Sequence, residues 1–340
     1  MKLYCGIDLH SNNHYVSIID HESKRLKEKR LSNDLAKTLA LLEPYRNDLQ
    51  GIAIESTFNW YWLVDGLMDN GYSVSLVNTS AVKQYEGLKH TDDQYDAYWL
   101  AHLMQLGILP TGYIYPKEQR SLRDLMRKRM LLVQCRTSHV ISAQAQFWRS
   151  TGRRLRSQDI KKCPVDLLSD ISDHNLLLSI QSNLNVIQLL NTQIKTLEET
   201  IMSQCKHSTE CRQLKSVYGI GDILAQTIML ETGDISRFHQ VGNYTSYCRC
   251  VDSQKTSNGK KKGSGNKKSG NKYLAWAYME AANFALRFYE PARKFYQRKL
   301  AKRNAIVARK ALAHKLARAS YYVMRDNTPF KSDQLFSSTV

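Results

Sequence analysis

No stretch of the sequence approaches the ~20 apolar residues that a membrane-spanning helix needs. The opening MKLYCGIDLH is too short and too polar for a secretory leader, so a cytoplasmic protein is expected. Cysteine is sparse and poorly spaced for either of its structural uses. The seven (Cys5, Cys135, Cys163, Cys205, Cys211, Cys248, Cys250) are odd in number and include no CxxC pair, which argues against a zinc knuckle and a disulfide framework alike. Cys248 and Cys250 with Cys205, His207 and Cys211 could be drawn as ligands, but reduced thiols are the simpler reading. Residues 118–150 lack both proline and glycine, so nothing there interrupts a helix. Between Lys255 and Arg318 acids are almost missing: Glu280 and Glu290 stand against 18 Lys or Arg. No internal repeat is visible.

The basic residues are concentrated. That 64-residue segment carries +16 of a net +18, whereas residues 1–100 hold 14 acids against 10 bases. Self-repulsion on this scale opposes compaction unless a polyanion is near, so the back half is expected to bind nucleic acid. Tyr244, Tyr247, Tyr273 and Tyr278 flank the basic loop and could stack on bases, although core packing suits most of them.

Hydrophobic patterning divides the chain into an α/β front and a helical remainder. Leu3–Asp8, Tyr15–Ile19 and a more polar Arg25–Leu31 read as an antiparallel meander with a turn at Ser11–Asn13. Asn33 or Asp34 can cap a helix running to Pro44, followed by a buried strand Gly51–Glu55, a helix Trp60–Met68, a strand Tyr72–Val77 and a helix Asp92–Leu106 stopped by Gly107. Residues 118–150 and 166–204 predict two long helices joined by the basic loop Arg149–Lys162. In the second, Ile180, Leu184, Ile187, Ile194, Leu197 and Ile201 mix spacings of three, four and seven, which fits an antiparallel hairpin or a coiled coil between subunits. Val217–Gly221 places a Gly-x-Gly turn between two helical patterns, able to offer backbone N–H groups to a phosphate. Residues 253–272, rich in Gly, Ser, Asn and Lys, read as chain that is flexible when free and ordered on a polyanion, and Leu274–Met324 as helix. Three domains follow: 1–115, 116–210 and 211–330.

The chemistry is expected at the acids. Asp8 and Glu55 each end an apolar strand, where a carboxylate lines a cleft more readily than it reaches solvent. Asp93 and Asp96 are three apart on a helix and share a face, with Asp92 a rival four residues before Asp96. Carboxylates gathered in one place repel unless cations intervene, and two cations held by shared carboxylates suit phosphoryl transfer. Each acid also has a plain structural role open to it, as a cap or a solvated first-turn residue. His10 and His90 lie near the expected cleft, as proton carriers or as surface residues.

These motifs resemble those of the DEDD transposases of insertion sequences. Gly6-Ile7-Asp8 is similar to that family's first motif, Ile54-Glu55-Ser56-Thr57 to its second, and Asp93-Gln94-Tyr95-Asp96-Ala97 with Leu100-Ala101 to its third. The third motif's spacing favours Asp93 over Asp92, although Asp92 stands where Thr is usual and Thr91 lies one place earlier. Val217-Tyr218-Gly219-Ile220-Gly221 resembles a Pro-Gly-Ile-Gly segment with Tyr218 in place of proline. Gly270-Asn271-Lys272-Tyr273-Leu274 resembles the final motif region. The resemblance spans about residues 3–325. It implies an RNase-H-like (RuvC-like) N-terminal domain, a long helical or coiled-coil middle that forms dimers, and a mostly helical C-terminal domain. It also implies a nucleophilic serine, matched by Ser257 with Ser253 and Ser264 as rivals, and Mg2+ (or Mn2+) on Asp8, Glu55, Asp93 and Asp96. DNA and a structured guide RNA are the implied partners, with a homo-oligomer, dimer or tetramer, as the implied assembly. The alternatives are a RuvC-like nuclease using metal-activated water and a non-enzymatic nucleic-acid-binding protein.

Overall fold

The computed structural model describes residues 1–79, 81–82, 92–162, 168, 171–206, 208–251, 254–264 and 268–331. His90, Thr91, Cys163, His207 and Ser253 lie outside the described residues, as does the side chain of Ser264. The chain divides into two compact units, Met1–Lys117 and Glu118–Val340.

The first unit is built on a five-stranded sheet. Strands β1 (Leu3–Leu9), β2 (Asn13–Ile19) and β3 (Arg25–Ser32) form the expected antiparallel meander, and β4 (Leu49–Glu55) and β5 (Val74–Val77) add in parallel to give the order β3-β2-β1-β4-β5. β1 is therefore central and covered on both faces, and the alternation of side chains assigns each residue a side. Leu3, Cys5, Ile7 and Leu9 join Leu42 of α1 (Leu35–Leu42) and Leu63, Val64 and Leu67 of α2 (Tyr61–Asp69) in one core. Gly6 and Asp8 point the other way, toward α3 (Asp93–Gln105).

Helix α3 lies unusually close to that face. A Cβ on Gly6 would sit 2.0 Å from the Ala97 carbonyl oxygen and 2.7 Å from the Ala101 nitrogen, so only glycine admits this approach. Ala97, Leu100 and Ala101 form the buried stripe of α3, with Leu100 packed on Ala53 and Val77. Asp34 caps α1 by accepting from the Lys37 amide, and Asp92 caps α3 by accepting from the Tyr95 amide at 2.8 Å.

The second unit opens with α4 (Lys117–Thr151), then α5 (Ser157–Lys161) and α6 (His174–Cys205). Arg129 meets Glu198, Arg136 meets Asn191, His139 meets Asn183 and Gln146 meets Ser179, so positions fall along α6 as they rise along α4. The pattern of Ile and Leu on α6 thus packs an antiparallel hairpin within one chain, with Ile180, Leu184 and Ile187 against Val140, Ala143 and Phe147. α6 opens at His174, where Asp173 caps it by accepting from the Leu176 amide; the expected start at 166 lies outside the described residues.

The rest is a helical bundle: α7 (Thr209–Leu214), α8 (Asp222–Thr232), α9 (Val241–Tyr247), α10 (Lys272–Phe288), α11 (Glu290–Leu300) and α12 (Ala305–Asp326) around Tyr244, Tyr278, Leu312 and Leu316. Gly219 takes φ +94 and presses on α10, where a Cβ would meet the Ala281 carbonyl oxygen at 2.3 Å. The Gly-x-Gly turn is therefore occupied with packing. The start of α8 already carries an acid, Asp222, paired with Lys215. Within residues 253–272 a β-hairpin, β6 (Gln254–Ser257) and β7 (Lys260–Ser264), is present. Among the described residues no helix is long and apolar enough to cross a membrane.

Candidate metal centre

Parallel pairing of β1 with β4 sets Ile7 beside Ile54, so Asp8 and Glu55 emerge together at the C-terminal ends of two central strands. Both lie on the α3 side by the same alternation that directs Gly6 and Ala53 there. Asp8 is only 2% exposed. The two carboxyls are close enough that each acts on the other's pKa.

The first turn of α3 supplies the second pair. Asp92 is committed to capping, and its oxygen accepts from a backbone amide. Asp93 and Asp96, three apart, fall on the site side of the helix and both act electrostatically on Asp8. Asp8, Glu55 and Asp96 line a cavity of about 340 Å3, closed on its apolar side by Val82, Trp99 and Leu100 and completed by Thr79. Asp93 sits at its margin, 46% exposed, 3.3 Å from the Nε2 atom of His10. The same Nε2 is 3.0 Å from Asp8 Oδ2.

The acids repel one another, and His10 opposes that repulsion at Glu55 and Asp96. Burial pushes the Asp8 carboxyl above its ordinary value, the Glu55 hydrogen bond pulls it down, and Asp96 and Asp93 raise it further. Glu55 is pushed up to about 7, by burial first and then by its hydrogen bond and charge repulsion with Asp8. Asp96 is raised by burial and then by Glu55, Asp93 and Asp92. Acids gathered this closely can share a bound cation. The donor set fits a divalent ion: carboxylate oxygens converge from three elements, and the most buried of them is shared by all.

Residues with no place among the expected ligands complete the setting. The His10 carbonyl accepts from the side-chain amides of Asn33 and Asn59, each at 3.0 Å. Asn33 in turn meets buried His14, whose other ring nitrogen lies 3.0 Å from Thr38 Oγ1. His10 follows Asp8 by two positions, the spacing that keeps two residues on one side of an extended chain. That spacing was the available signal; the clamp by Asn33 and Asn59 had none.

Ser257 belongs to the second unit. It ends β6 directly opposite Lys260, and Asn258 (φ 50) and Gly259 (φ 69) form the two-residue left-handed turn between them. The serine is exposed beside the tip of a two-stranded arm. The arm's base is tied down where the Arg249 guanidinium donates to the carbonyls of Gly270 and Lys268. Asn271 caps α10 just after it and donates to buried Glu231, which accepts two hydrogen bonds from Arg127. Elsewhere in this unit Arg298, Lys299 and Arg318 crowd Lys315 closely enough, together with burial, to lower its pKa. Cations packed this way suit a polyanion.

Residues 5–147 match the sequence model of a transposase family of the DEDD, IS110 type, and residues 211–297 match one described as the transposase IS116/IS110/IS902 family. The chain is 24% identical over 295 residues to a probable family 20 transposase of Pseudomonas aeruginosa, covering 82% of this chain and 85% of that protein. It is also 24% identical over 233 residues to the transposase for insertion sequence element IS1111A of Coxiella burnetii, covering 67% of this chain and 63% of that protein.

Proposed function

Since this chain belongs to the IS110 family of insertion-sequence transposases, we propose that it cuts, exchanges and rejoins DNA strands, using carboxylate-held cations and Ser257 as nucleophile. The observation that carries this reading is the meeting of Asp8, Glu55 and Asp96, from two strands and a helix, around one cavity. The sheet order, with three antiparallel strands, two parallel ones and helices on both faces, supports an RNase-H-like (RuvC-like) description of the first unit.

Asp8, Glu55, Asp93 and Asp96 would hold Mg2+, or Mn2+ in its place. Such a cation supplies Lewis acidity, offsetting charge on the phosphate and on the departing oxygen. The chain's own residues do the rest. Glu55 gives up its proton when the site loads, the backbone of α3 fixes Asp93 and Asp96, and Trp99 with Leu100 keeps one wall of the cavity apolar. The Ser257 hydroxyl oxygen attacks phosphorus, so a Ser–O–P bond forms and the P–O bond to one sugar breaks. The hydroxyl proton is released and the departing sugar oxygen takes one up. The phosphodiester energy stays in the protein–DNA link, and reversal of the step joins a new strand without ATP.

Residues 1–115 are proposed as the carboxylate domain, 116–210 as the dimer-forming region and 211–330 as the domain that presents Ser257. Leu131, Ile141 and Leu189 are 49–61% exposed on the α4–α6 hairpin and support contact with a second copy, in a dimer or tetramer. A structured RNA is proposed to choose the sequences, leaving the patch of Arg298, Lys299, Lys315 and Arg318 to grip backbones.

The test uses a supercoiled plasmid carrying the element with its flanks. Wild-type protein with Mg2+ is expected to yield a covalent protein–DNA adduct that survives denaturation, and Ser257→Ala and Asp8→Asn to yield none. Free cut ends from an active Ser257→Ala protein would replace the recombinase with a water-using nuclease. Full activity in Asp8→Asn and Glu55→Gln would remove the carboxylates from the chemistry.

A further inference from the structure

We propose that His10 is a nitrogen ligand of the metal centre, forming with Asp8 and Asp93 a mixed imidazole–carboxylate site that ranks first-row transition cations above Mg2+. The inference rests on the reading of the carboxylates as cation ligands and adds a donor of different chemistry.

Three observations converge on it. First, one ligand atom each from Asp8, His10 and Asp93 lies within 4.8 Å of the others, close enough to surround a single ion. Second, the imidazole edge sits between two carboxylates. His10 Nε2 is fully buried although the side chain is 42% exposed. It approaches Asp8 Oδ2 to 3.0 Å and Asp93 Oδ1 to 3.3 Å without aligning a hydrogen bond to either. A nitrogen aimed between two carboxylates and along neither is where an ion bound by all three would require it. Third, the segment is fixed in advance. The His10 carbonyl is held by Asn33 and Asn59, its amide donates to the Asn13 carbonyl, and Asn33 is itself fixed by buried His14. A ligand bound to a rigid backbone costs little ordering when the ion arrives.

This divides the centre into two donor groups that share Asp8. Glu55 and Asp96 belong with Asp8 in the cavity, an all-oxygen set suited to a hard ion. Asp93 and His10 belong with Asp8 at its margin, where an imidazole nitrogen adds affinity for Mn2+, Co2+ and later ions and little for Mg2+.

The test uses the full chain and Mn2+ alone. Bound Mn2+ is examined by electron spin-echo envelope modulation, and Mn2+ and Mg2+ affinities by titration and competition, in wild type, His10→Ala and His10→Gln. A directly bound nitrogen is expected in the wild-type spectrum and absent from both variants. The Mn2+/Mg2+ affinity ratio is expected to fall roughly tenfold or more. Mn2+ bound with no nitrogen coupling and an unchanged ratio in the variants would overturn the role of His10 while leaving the carboxylate centre standing. Mn2+ binding that survives Asp8→Asn unaltered, or no Mn2+ binding by the wild type, would overturn the carboxylate reading and this inference with it. His10→Gln, which keeps a polar side chain of similar reach, guards against a loss caused by misfolding.

Discussion

Replacing Gly6 with alanine tests whether the closeness of α3 to β1 sets the geometry of the site. The new Cβ would lie 2.0 Å from the Ala97 carbonyl oxygen and 2.7 Å from the Ala101 nitrogen, both backbone atoms that no rotamer change can move. Restoring ordinary contact requires α3 to retreat by about 1 Å or more, and overpacking of this severity costs about 3 kcal/mol. Amide hydrogen exchange reads that cost where it arises. Amides of β1 and β4 that open with the first unit should exchange roughly a hundredfold faster, since 1.4 kcal/mol is a factor of ten. Asp96 adjoins Ala97 and Asp8 lies two residues beyond Gly6, so the same retreat separates the acids. Mn2+ binding should weaken at least tenfold, by about the factor expected when a ligand is misplaced by an ångström. Gly51→Ala is the control. It lies on the neighbouring strand, but its Cβ would meet the flexible Met104 sulfur at 3.1 Å, which can give way. Exchange and Mn2+ affinity in Gly6→Ala that match Gly51→Ala would refute the claim that backbone proximity positions the carboxylates.

Three further outcomes are expected. Glu55 is pushed up to about 7 from an ordinary 4.5, so the folded form binds the extra proton across that window. Without a cation, stability of the first unit is highest below about pH 4.5 and falls as pH rises to about 7; a slope in EDTA that Glu55→Gln flattens and Mn2+ abolishes checks this. Glu231→Ala removes a carboxylate with a 1% exposed side chain from Arg127 and Asn271. It should lower the urea unfolding free energy of the second unit by about 3 kcal/mol, and an unchanged midpoint would contradict the burial argument. Gly259→Val forces a β-branched residue into a φ of +69, at a local cost of about 1–3 kcal/mol, and should abolish adduct formation while leaving Mn2+ affinity at the wild-type value.

The α/β order of the first unit was readable because its signals are local. Apolar runs ending in Asp8 and Glu55 mark strands, and Asp34 and Asp92 mark helix starts within a residue of where they fall. Asp92 caps α3 with one carboxylate oxygen, an occupation that favours Asp93 as the residue facing the cleft. Composition says less than the turn chemistry across residues 254–264, where the Asn258-Gly259 pair is a turn strong enough to pair two short polar strands. Of the helix expected from residue 166, the described residues 171–173 are not helical, since Asp173 caps the helix that opens at His174. His10 was legible only as a residue near the cleft, a proton carrier or a surface residue, because the backbone clamp that fixes it comes from Asn33 and Asn59, in distant parts of the chain.

The length of α4 has a metric consequence. At 1.5 Å per residue its 35 residues extend about 50 Å, and α6 runs back beside it, so the hairpin is a braced rod. Its foot is packed on Leu230 through Met126 and Ile201, and its far end exposes Arg149, Arg153 and Arg154. Against duplex DNA, at 3.4 Å per base pair, that rod measures about 15 base pairs. A phosphate touched at the tip and one touched at the foot would thus be separated by about one and a half helical turns.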